Sequence, residues 1–228
     1  MAELIIAIDG PSGAGKSTLS KLLAQRLDYI HLDTGAMYRC VALAAMEQGI
    51  DPSEQQRLGA LAQSLKIEFV HSASGDLVFL DGRDVSTAIR TPEVSLLTSK
   101  VSAAVEVRAA LVALQRRLGE IGGVVLEGRD IGTVVFPQAQ VKFFLSATAE
   151  ARGERRYEEL VAKGVKVNLP QTICEVVARD VADSEREHAP LLQADDAVVI
   201  DSTNLSIEEV LDKMIGIVEH RRKELPVK

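Results

Sequence analysis

The stretch Gly10-Pro11-Ser12-Gly13-Ala14-Gly15-Lys16-Ser17-Thr18 decides more about this chain than any other. It follows an apolar run, Leu4-Ile5-Ile6-Ala7-Ile8, that reads as a buried parallel strand, and it opens a helical pattern through Leu19, Leu22, Leu23 and Leu27. Strand, glycine-rich turn and helix in that order are the setting a phosphate-binding loop requires. Glycines leave backbone N–H groups able to wrap an anion, and the helix N-terminus adds unpaired donors and a positive dipole end. Lys16 brings a full charge to the β- and γ-phosphates, and Ser17 offers a hydroxyl oxygen to Mg²⁺. A glycine turn that merely joins two elements has no use for Lys-Ser at its end. The stretch predicts a nucleoside-triphosphate cradle.

The remaining composition narrows the class. A chain of 228 residues can bury one good core with room for a small insert. Its net charge of −7 argues against non-specific nucleic-acid binding, which wants a broad basic surface. Basic residues that do cluster are the more informative for it. The two cysteines, Cys40 and Cys174, each lie in an apolar helical pattern and are expected as buried thiols in a reducing cytoplasm. The first apolar run ends at Asp9, too short for a signal-peptide core, and no run approaches the ~18 apolar residues that cross a bilayer. A cytoplasmic monomer with no membrane contact is expected.

Five short apolar runs suit core strands: Leu4–Ile8, Tyr29–Leu32, Val124–Leu126, Val141–Leu145 and Ala197–Ile200. Helical patterns between them predict an α/β fold, a five-stranded parallel sheet covered by helices on both faces. Ligands of such sheets sit off the carboxyl ends of the strands. Asp9 and the phosphate loop, Asp33-Thr34-Gly35, Glu127-Gly128-Arg129-Asp130 and Asp201-Ser202-Thr203-Asn204 all fall there. From about 65 to 90 the alternation breaks into short strand-like runs, Lys66–Val70 and Leu77–Leu80, around a loop over Ser72–Asp76; Arg83–Ser86 could pair beside them. After Pro92 one helical stretch is expected from about Glu93 to Leu118.

The charged groups admit two readings each. Arg152, Arg155 and Arg156 share one helix face and either pair with Glu150, Glu154, Glu158 and Glu159 or meet the triphosphate. Arg179, Asp183 and Arg186 share another; they form an ion-pair ladder or hold a sugar hydroxyl and a phosphate. Arg129-Asp130, at a strand end between Gly128 and Gly132, reads as functional. Spacing alone makes Arg39 and Arg108 ordinary exposed residues. The histidines (His31, His71, His188, His220) form no metal spacing and read as surface or loop residues.

Four runs resemble the bacterial cytidylate kinase family of phosphate-loop nucleoside monophosphate kinases. They are Ile8–Ser17, Leu32-Asp33-Thr34-Gly35-Ala36-Met37-Tyr38-Arg39, Glu127-Gly128-Arg129-Asp130-Ile131-Gly132-Thr133-Val134-Val135-Phe136-Pro137 and Ala189-Pro190-Leu191. The resemblance covers nearly the whole chain, and the third run is its most specific part. It implies a core over 1–64, 91–148 and 188–228, a β-rich monophosphate-binding insert at about 65–90 and a helical lid at about 149–187. It further implies transfer of the γ-phosphoryl group of ATP, with Mg²⁺, to CMP and dCMP. Arg39, Arg129 and Arg186 would hold the acceptor's phosphate, Arg179 and Asp183 its sugar, and Ser99, Arg108 and Asp130 its base. Thr34 stands where the family often has serine, and Ser17 where some members have glycine. Arg152, Arg155 and Arg156 fall in the lid, with Arg155 joining Gly10–Thr18 around ATP. Lys16, Arg129, Arg152, Arg156 and Arg186 would carry the catalysis.

A phosphate acceptor is already an anion at neutral pH, so positioning and charge neutralisation are the chemistry required. Asp9 or Glu127 would orient the water shell of the metal; the sequence leaves both open. Two other classes stay open at this point. One is a kinase for a different small acceptor. The other is a nucleotide switch, although the Asn-Lys-x-Asp guanine signature of GTPases is absent from the chain.

Overall fold

The computed structural model describes residues 3–72 and 75–224. In chain order the elements begin β1 (Ile5–Asp9), α1 (Lys16–Leu27), β2 (Ile30–Asp33), α2 (Thr34–Glu47), α3 (Gln55–Ser64), β3 (Ile67–Ser72), β4 (Gly75–Leu80) and β5 (Arg83–Asp84). They continue α4 (Pro92–Val101), α5 (Val105–Gly119), β6 (Val124–Glu127), β7 (Val141–Ser146), α6 (Ala149–Ala162), α7 (Leu169–Ser184), β8 (Val198–Asp201) and α8 (Ile207–Glu224). The chain divides into two compact units, Met1–Leu32 with Ile121–Lys228, and Asp33–Glu120.

The first unit is built on a five-stranded sheet of order β2-β6-β1-β7-β8, as the apolar runs predict. β1 pairs in parallel with β6, Ile5 opposite Val124, and with β7, Ile6 opposite Val141. Ile6, Ala7 and Ile8 are each wholly buried, as are Val124, Val125 and Leu126. Successive residues of a strand point to opposite faces, so both faces of the sheet's centre are covered. That explains why these strands read as continuous apolar runs rather than alternations. Leu19 and Leu23 of α1 and Val210, Leu211 and Met214 of α8 close one core with Ile6, Ile8, Phe143 and Leu145.

The second unit has its own core, which joins Met37 and Val41 of α2, Leu58 of α3, Val78 and Leu80 of β4, Val94 of α4 and Leu111 of α5. The expected β insert is a meander of order β3-β4-β5. Its hairpin register runs from Ile67 opposite Leu80 to Ser72 opposite Gly75, and residues 73 and 74 of the expected loop lie outside the described residues. Of the third piece, Arg83 and Asp84 form the short strand β5 against β4, and Val85 N–H and Ser86 Oγ extend the contact through Val78. Within this unit the apolar faces of its helices pack with the hairpin.

Two expectations need correction. The single helix over 93–118 is two helices, broken at Ser102–Ala104. No glycine or proline marks the break. Hydroxyls do the work instead: Ser95 Oγ donates to the Thr91 carbonyl (2.8 Å), Thr98 Oγ1 to the Val94 carbonyl (2.6 Å) and Ser102 Oγ to the Ser99 carbonyl (3.0 Å). Such back-bonding competes for helix carbonyls. The second correction concerns the thiols: Cys40 is buried, but Cys174 is exposed. α7 buries Thr172, Val176 and Asp183. Cys174 lies on its other side with exposed Val177 and Val181, so the apolar pattern around this cysteine faces solvent.

Candidate active site

The loop between β1 and α1 has the backbone an anion cradle needs. Gly10, Gly13 and Gly15 all take positive φ (145°, 78° and 94°). A Cβ at Gly10 would lie 2.0 Å from the Leu145 carbonyl oxygen, so glycine is obligatory there. Gly15 caps α1 without any side-chain acceptor, which leaves the helix's first N–H groups to other partners. Lys16 opens α1, is only 6% exposed, and donates from Nζ to the Pro11 carbonyl at 2.6 Å. Burial, then the charge of Arg129, with a smaller contribution from Arg179, hold its ammonium well below the usual lysine range; Glu127 and Asp9 act the other way. Lysine and guanidinium charges therefore share one poorly hydrated space.

The two carboxylates left open by the sequence do different things. Asp9 accepts the Ile131 N–H on Oδ1 (2.8 Å) and the Gly132 N–H on Oδ2 (2.7 Å). Burial pushes its carboxyl up to about 6, and those two amides pull against it. It thereby anchors a π-helical turn, Ile131–Val135, directly after Arg129 and the buried Asp130. Glu127, the last residue of β6, instead accepts the Ser17 hydroxyl on Oε2 at 2.9 Å. Burial opposes its ionisation, but His31, Lys16 and the Ser17 hydroxyl outweigh burial and keep its carboxyl below the ordinary glutamate range.

The lid arginines share a face in sequence but have separate partners. Arg152 is buried, donating to the carbonyls of Ala147 (2.9 Å) and Ser12 (3.1 Å) and pairing with Asp180 of α7 at 2.6 Å. Arg155 grips Ser202, with Nη2 on its carbonyl (2.6 Å) and Nη1 on its hydroxyl (3.1 Å). Ser202 Oγ also lies 3.1 Å from the Ala14 carbonyl, which ties the loop after β8 to the phosphate loop. Arg156 pairs with Glu159 at the surface (2.8 Å), as the ion-pair reading expects.

On α7, Asp183 is 1% exposed and takes Arg129 Nε on Oδ2 (2.7 Å) and Arg186 Nη2 on Oδ1. Burial works against its ionisation, but Arg129 and Arg186 outweigh it and hold its carboxyl below the usual aspartate range. Arg179 contributes to the fields at both Lys16 and Asp183. Within the first unit Arg129, Asp183 and Arg186 form one ion-paired cluster, Ser17 joins Glu127, and Arg152 bonds the Ser12 carbonyl of the phosphate loop while Arg155 reaches that loop through Ser202.

The second unit carries the other expected residues. Thr34 is buried at the start of α2, which Asp33 caps by accepting the Ala36 N–H at 2.9 Å. Arg39 donates to the Ile89 carbonyl (3.3 Å) and to Ser95 Oγ (3.2 Å). Arg108 is not an exposed residue, as its spacing implies, but a buried one. Its guanidinium lies 5.7 Å from the Tyr38 ring centroid and donates to the Ser102 carbonyl (3.4 Å) at the α4–α5 break; Ser99 is half-buried, its carbonyl taking the Ser102 hydroxyl.

Sequence reasoning placed Ser202 at the ligand rim without a role and missed two members. Asp180 gives no signal beyond being a polar residue on a helix face. His31, read as a surface residue, is buried in β2; the clue was its place inside an apolar strand run.

A family model for cytidylate kinases matches residues 6–220. A cytidylate kinase from Syntrophotalea carbinolica is 61% identical over 221 residues, covering 97% of this chain and 94% of that protein. One from Geobacter sulfurreducens is 60% identical over 223 residues, covering 98% and 96%. Among solved structures, shikimate kinase from Bacteroides thetaiotaomicron superposes with a TM-score of 0.51 at 12% identity, covering 96% of this chain and 99% of that one, a likeness of fold alone. Since the match runs from the second residue of the first strand into the last helix, this chain belongs to the cytidylate kinase family.

Proposed function

We propose that this chain transfers the γ-phosphoryl group of ATP to CMP and dCMP, giving ADP and the corresponding diphosphates, as a cytoplasmic monomer. One observation carries the reading beyond the family. Lys16 is buried in the glycine cradle with its Nζ on the Pro11 carbonyl, and Arg129 and Arg186 of the same unit are gathered on one buried carboxylate, Asp183. Cations crowded together out of water are stabilised when anions arrive between them. The donor's phosphates and the acceptor's phosphate are two such anions, and their mutual repulsion is the main obstacle to transfer.

The residue roles follow from that electrostatic demand. The backbone of Gly10–Thr18 and Lys16 bind the donor phosphates, with Arg152, Arg155 and Arg156 from the lid. Arg39, Arg129 and Arg186 bind the acceptor phosphate, Arg179 and Asp183 the sugar. Asp183 holds two guanidiniums by one carboxylate and so sets their forks before substrate comes. Thr34 supports the acceptor site, and Ser99, Arg108 and Asp130 read the base. Asp130 accepts from the cytosine amino group, where uracil would set a carbonyl against a carboxylate.

Magnesium suits the donors that Ser17 and Glu127 present. Both are hard oxygen ligands, and a hydroxyl that donates to a carboxylate keeps its lone pairs for a cation. Asp9 has both oxygens committed to backbone amides, so Glu127 is the carboxylate that orients the metal's water shell. When bound, the ion neutralises developing charge on the β- and γ-phosphates.

A coupled assay of CMP, dCMP, UMP and AMP with ATP tests the assignment. CMP and dCMP should exceed UMP in kcat/KM by at least about a hundredfold. Asp130→Ala should erase most of that preference while leaving ATP binding unchanged. Preference for AMP or UMP in the parent enzyme would overturn the acceptor assignment.

A further inference from the structure

Lys142 is the one charged residue in the apolar run of β7, an inner strand of the sheet, and is only 7% exposed. Taking an ammonium out of water is costly unless it is well paired, so a lysine in this place needs a reason. No contact assigned to donor or acceptor uses it. Its Nζ has three hydrogens and gives two of them to acceptors within hydrogen-bond reach, the Pro137 carbonyl at 2.7 Å and Asp196 Oδ1 at 2.8 Å. The stem has a neighbour of its own. A Cβ at Gly132 would lie 3.0 Å from Lys142 Cδ and 3.4 Å from both Lys142 Cγ and Asp9 Oδ2. Gly132 is therefore wedged between the lysine stem and the Asp9 carboxylate, which also takes its N–H at 2.7 Å. Strand register explains the meeting. Lys142 lies opposite Ala7, and Asp9 is two residues further along β1, so both side chains leave the same face of the sheet.

We propose that Lys142 is a positioning residue for the acceptor side of the site. With Asp9 it clamps the π-helical turn from both ends. Asp9 takes the amides that enter the turn, at Ile131 and Gly132, and Lys142 holds the Pro137 carbonyl just beyond its close. Arg129 and Asp130 lead into that turn, so the clamp sets the direction in which their guanidinium and carboxylate are presented. Asp196, on the segment before β8, steers the ammonium onto the carbonyl: a flexible four-carbon stem has several rotamers, and a carboxylate at 2.8 Å selects among them. An apolar side chain of the same length would pack against Gly132 but leave the far end of the turn free to shift. A displacement of about 1 Å at a group that positions substrate costs about a hundredfold. This role rests on those proposed for Asp130 at the base and Arg129 at the acceptor's phosphate.

The test measures kcat/KM for CMP and for UMP at saturating ATP, together with the ATP dissociation constant in the absence of acceptor. The ratio of the two kcat/KM values does not depend on how much of the enzyme is active, so a variant that merely folds less completely leaves it unchanged. Lys142→Met keeps an unbranched stem and removes the ammonium. It should lower the CMP-over-UMP ratio at least about tenfold and leave ATP affinity within about twofold of the parent. Asp196→Ala should lower the ratio at least about fivefold, whereas Asp196→Asn, which still offers the ammonium a carbonyl oxygen, should stay within about twofold. A parental ratio in Lys142→Met overturns the proposal, as does a loss of ATP affinity as large as the loss in kcat/KM for CMP. The Asp196 side chain is exposed, so if Lys142→Met does not fold, a parental ratio in Asp196→Ala overturns it instead. Equal losses in Asp196→Ala and Asp196→Asn overturn the steering by Asp196. Asp130→Ala separates the two levels. If it erases the ratio and the Lys142 and Asp196 variants do not, only the role of Lys142 falls. If it leaves the ratio at the parent value, the acceptor reading falls, and the role of Lys142 with it.

Discussion

Asp183 shows how one side chain serves stability and binding together. Its carboxylate is almost wholly buried and satisfied by two guanidiniums, Arg129 and Arg186. Removing the charge strands two cations in a place with little water, so Asp183→Asn should destabilise the fold at pH 7 by about 3 kcal/mol. The pH dependence has a definite sign. The folded carboxyl is held below the ordinary 3.8, so its contribution is complete above that value and is lost as pH falls through the lower, folded value. The stability gap between parent and Asp183→Asn should therefore be constant from pH 5 to 7 and shrink below about pH 4. Urea unfolding at pH 7 and pH 3 reads it directly. A gap that persists undiminished at pH 3 would mean that the carboxylate charge is not what holds the two arginines. At this scale residue types and shared faces are legible in the sequence, and partners are not. Spacing puts Arg152, Arg155 and Arg156 together, yet a half-buried aspartate, a serine loop and a surface glutamate take one each. Asp180 and Ser202 come from segments far along the chain, which no local pattern encodes, whereas Glu159 is the i,i+3 neighbour that the spacing offers.

Among the elements, the π-helical turn after β6 is the one whose shape depends most on a distant residue. Ile131–Val135 closes with the Val135 N–H on the Asp130 carbonyl (3.2 Å) and the Phe136 N–H on the Ile131 carbonyl (2.7 Å), while Asp9 reaches from the end of β1 to take two of its amides. Asp9→Asn exchanges one acceptor oxygen for an NH₂ group that faces an N–H. One buried amide then loses its partner, a cost of about 1–3 kcal/mol. The larger consequence should be kinetic. Arg129 and Asp130 lead directly into the turn, so kcat with CMP should fall at least about tenfold while ATP affinity, set by Gly10–Thr18, stays within about twofold. Equal losses for both substrates would show that Asp9 acts on the phosphate loop and not on the turn. The strands were legible in the sequence for a plain reason: a parallel strand covered on both sides is a nearly continuous apolar run, as in Val124–Leu126 and, interrupted only by Lys142, Val141–Leu145. The cradle was legible because glycine at positive φ is a local requirement. The π-helical turn and the α4–α5 break were not. One is imposed by a carboxylate about 120 residues away, and the other by serine and threonine hydroxyls whose helix-breaking geometry composition does not reveal.

For the whole molecule, two hydrophobic cores mean two places where stability is stored. Leu4, Ile6, Ile8, Leu19, Leu23, Phe143 and Leu145 form one; Met37, Val41, Leu58, Val78, Leu80 and Leu111 form the other. Every residue assigned to ATP, from Gly10 through Thr18 to the lid arginines, belongs to the first unit. A ligand stabilises the structure it binds by an amount set by its concentration over its dissociation constant, about 2.7 kcal/mol at a hundredfold excess. Structural units with separate cores open separately, and an amide's exchange reports the opening of its own unit. ATP alone, at about a hundred times its dissociation constant, should therefore slow hydrogen exchange about a hundredfold at the best-protected amides of β1, β6 and β7. The amides that pair β3 with β4 should exchange at their ATP-free rate. Mass spectrometry on peptic fragments covering 1–32 and 65–85 distinguishes the outcomes in one experiment. Equal protection of the hairpin would show that the second core does not open on its own and that the chain unfolds as a single cooperative body, which would remove the energetic meaning of the division at Asp33 and Glu120.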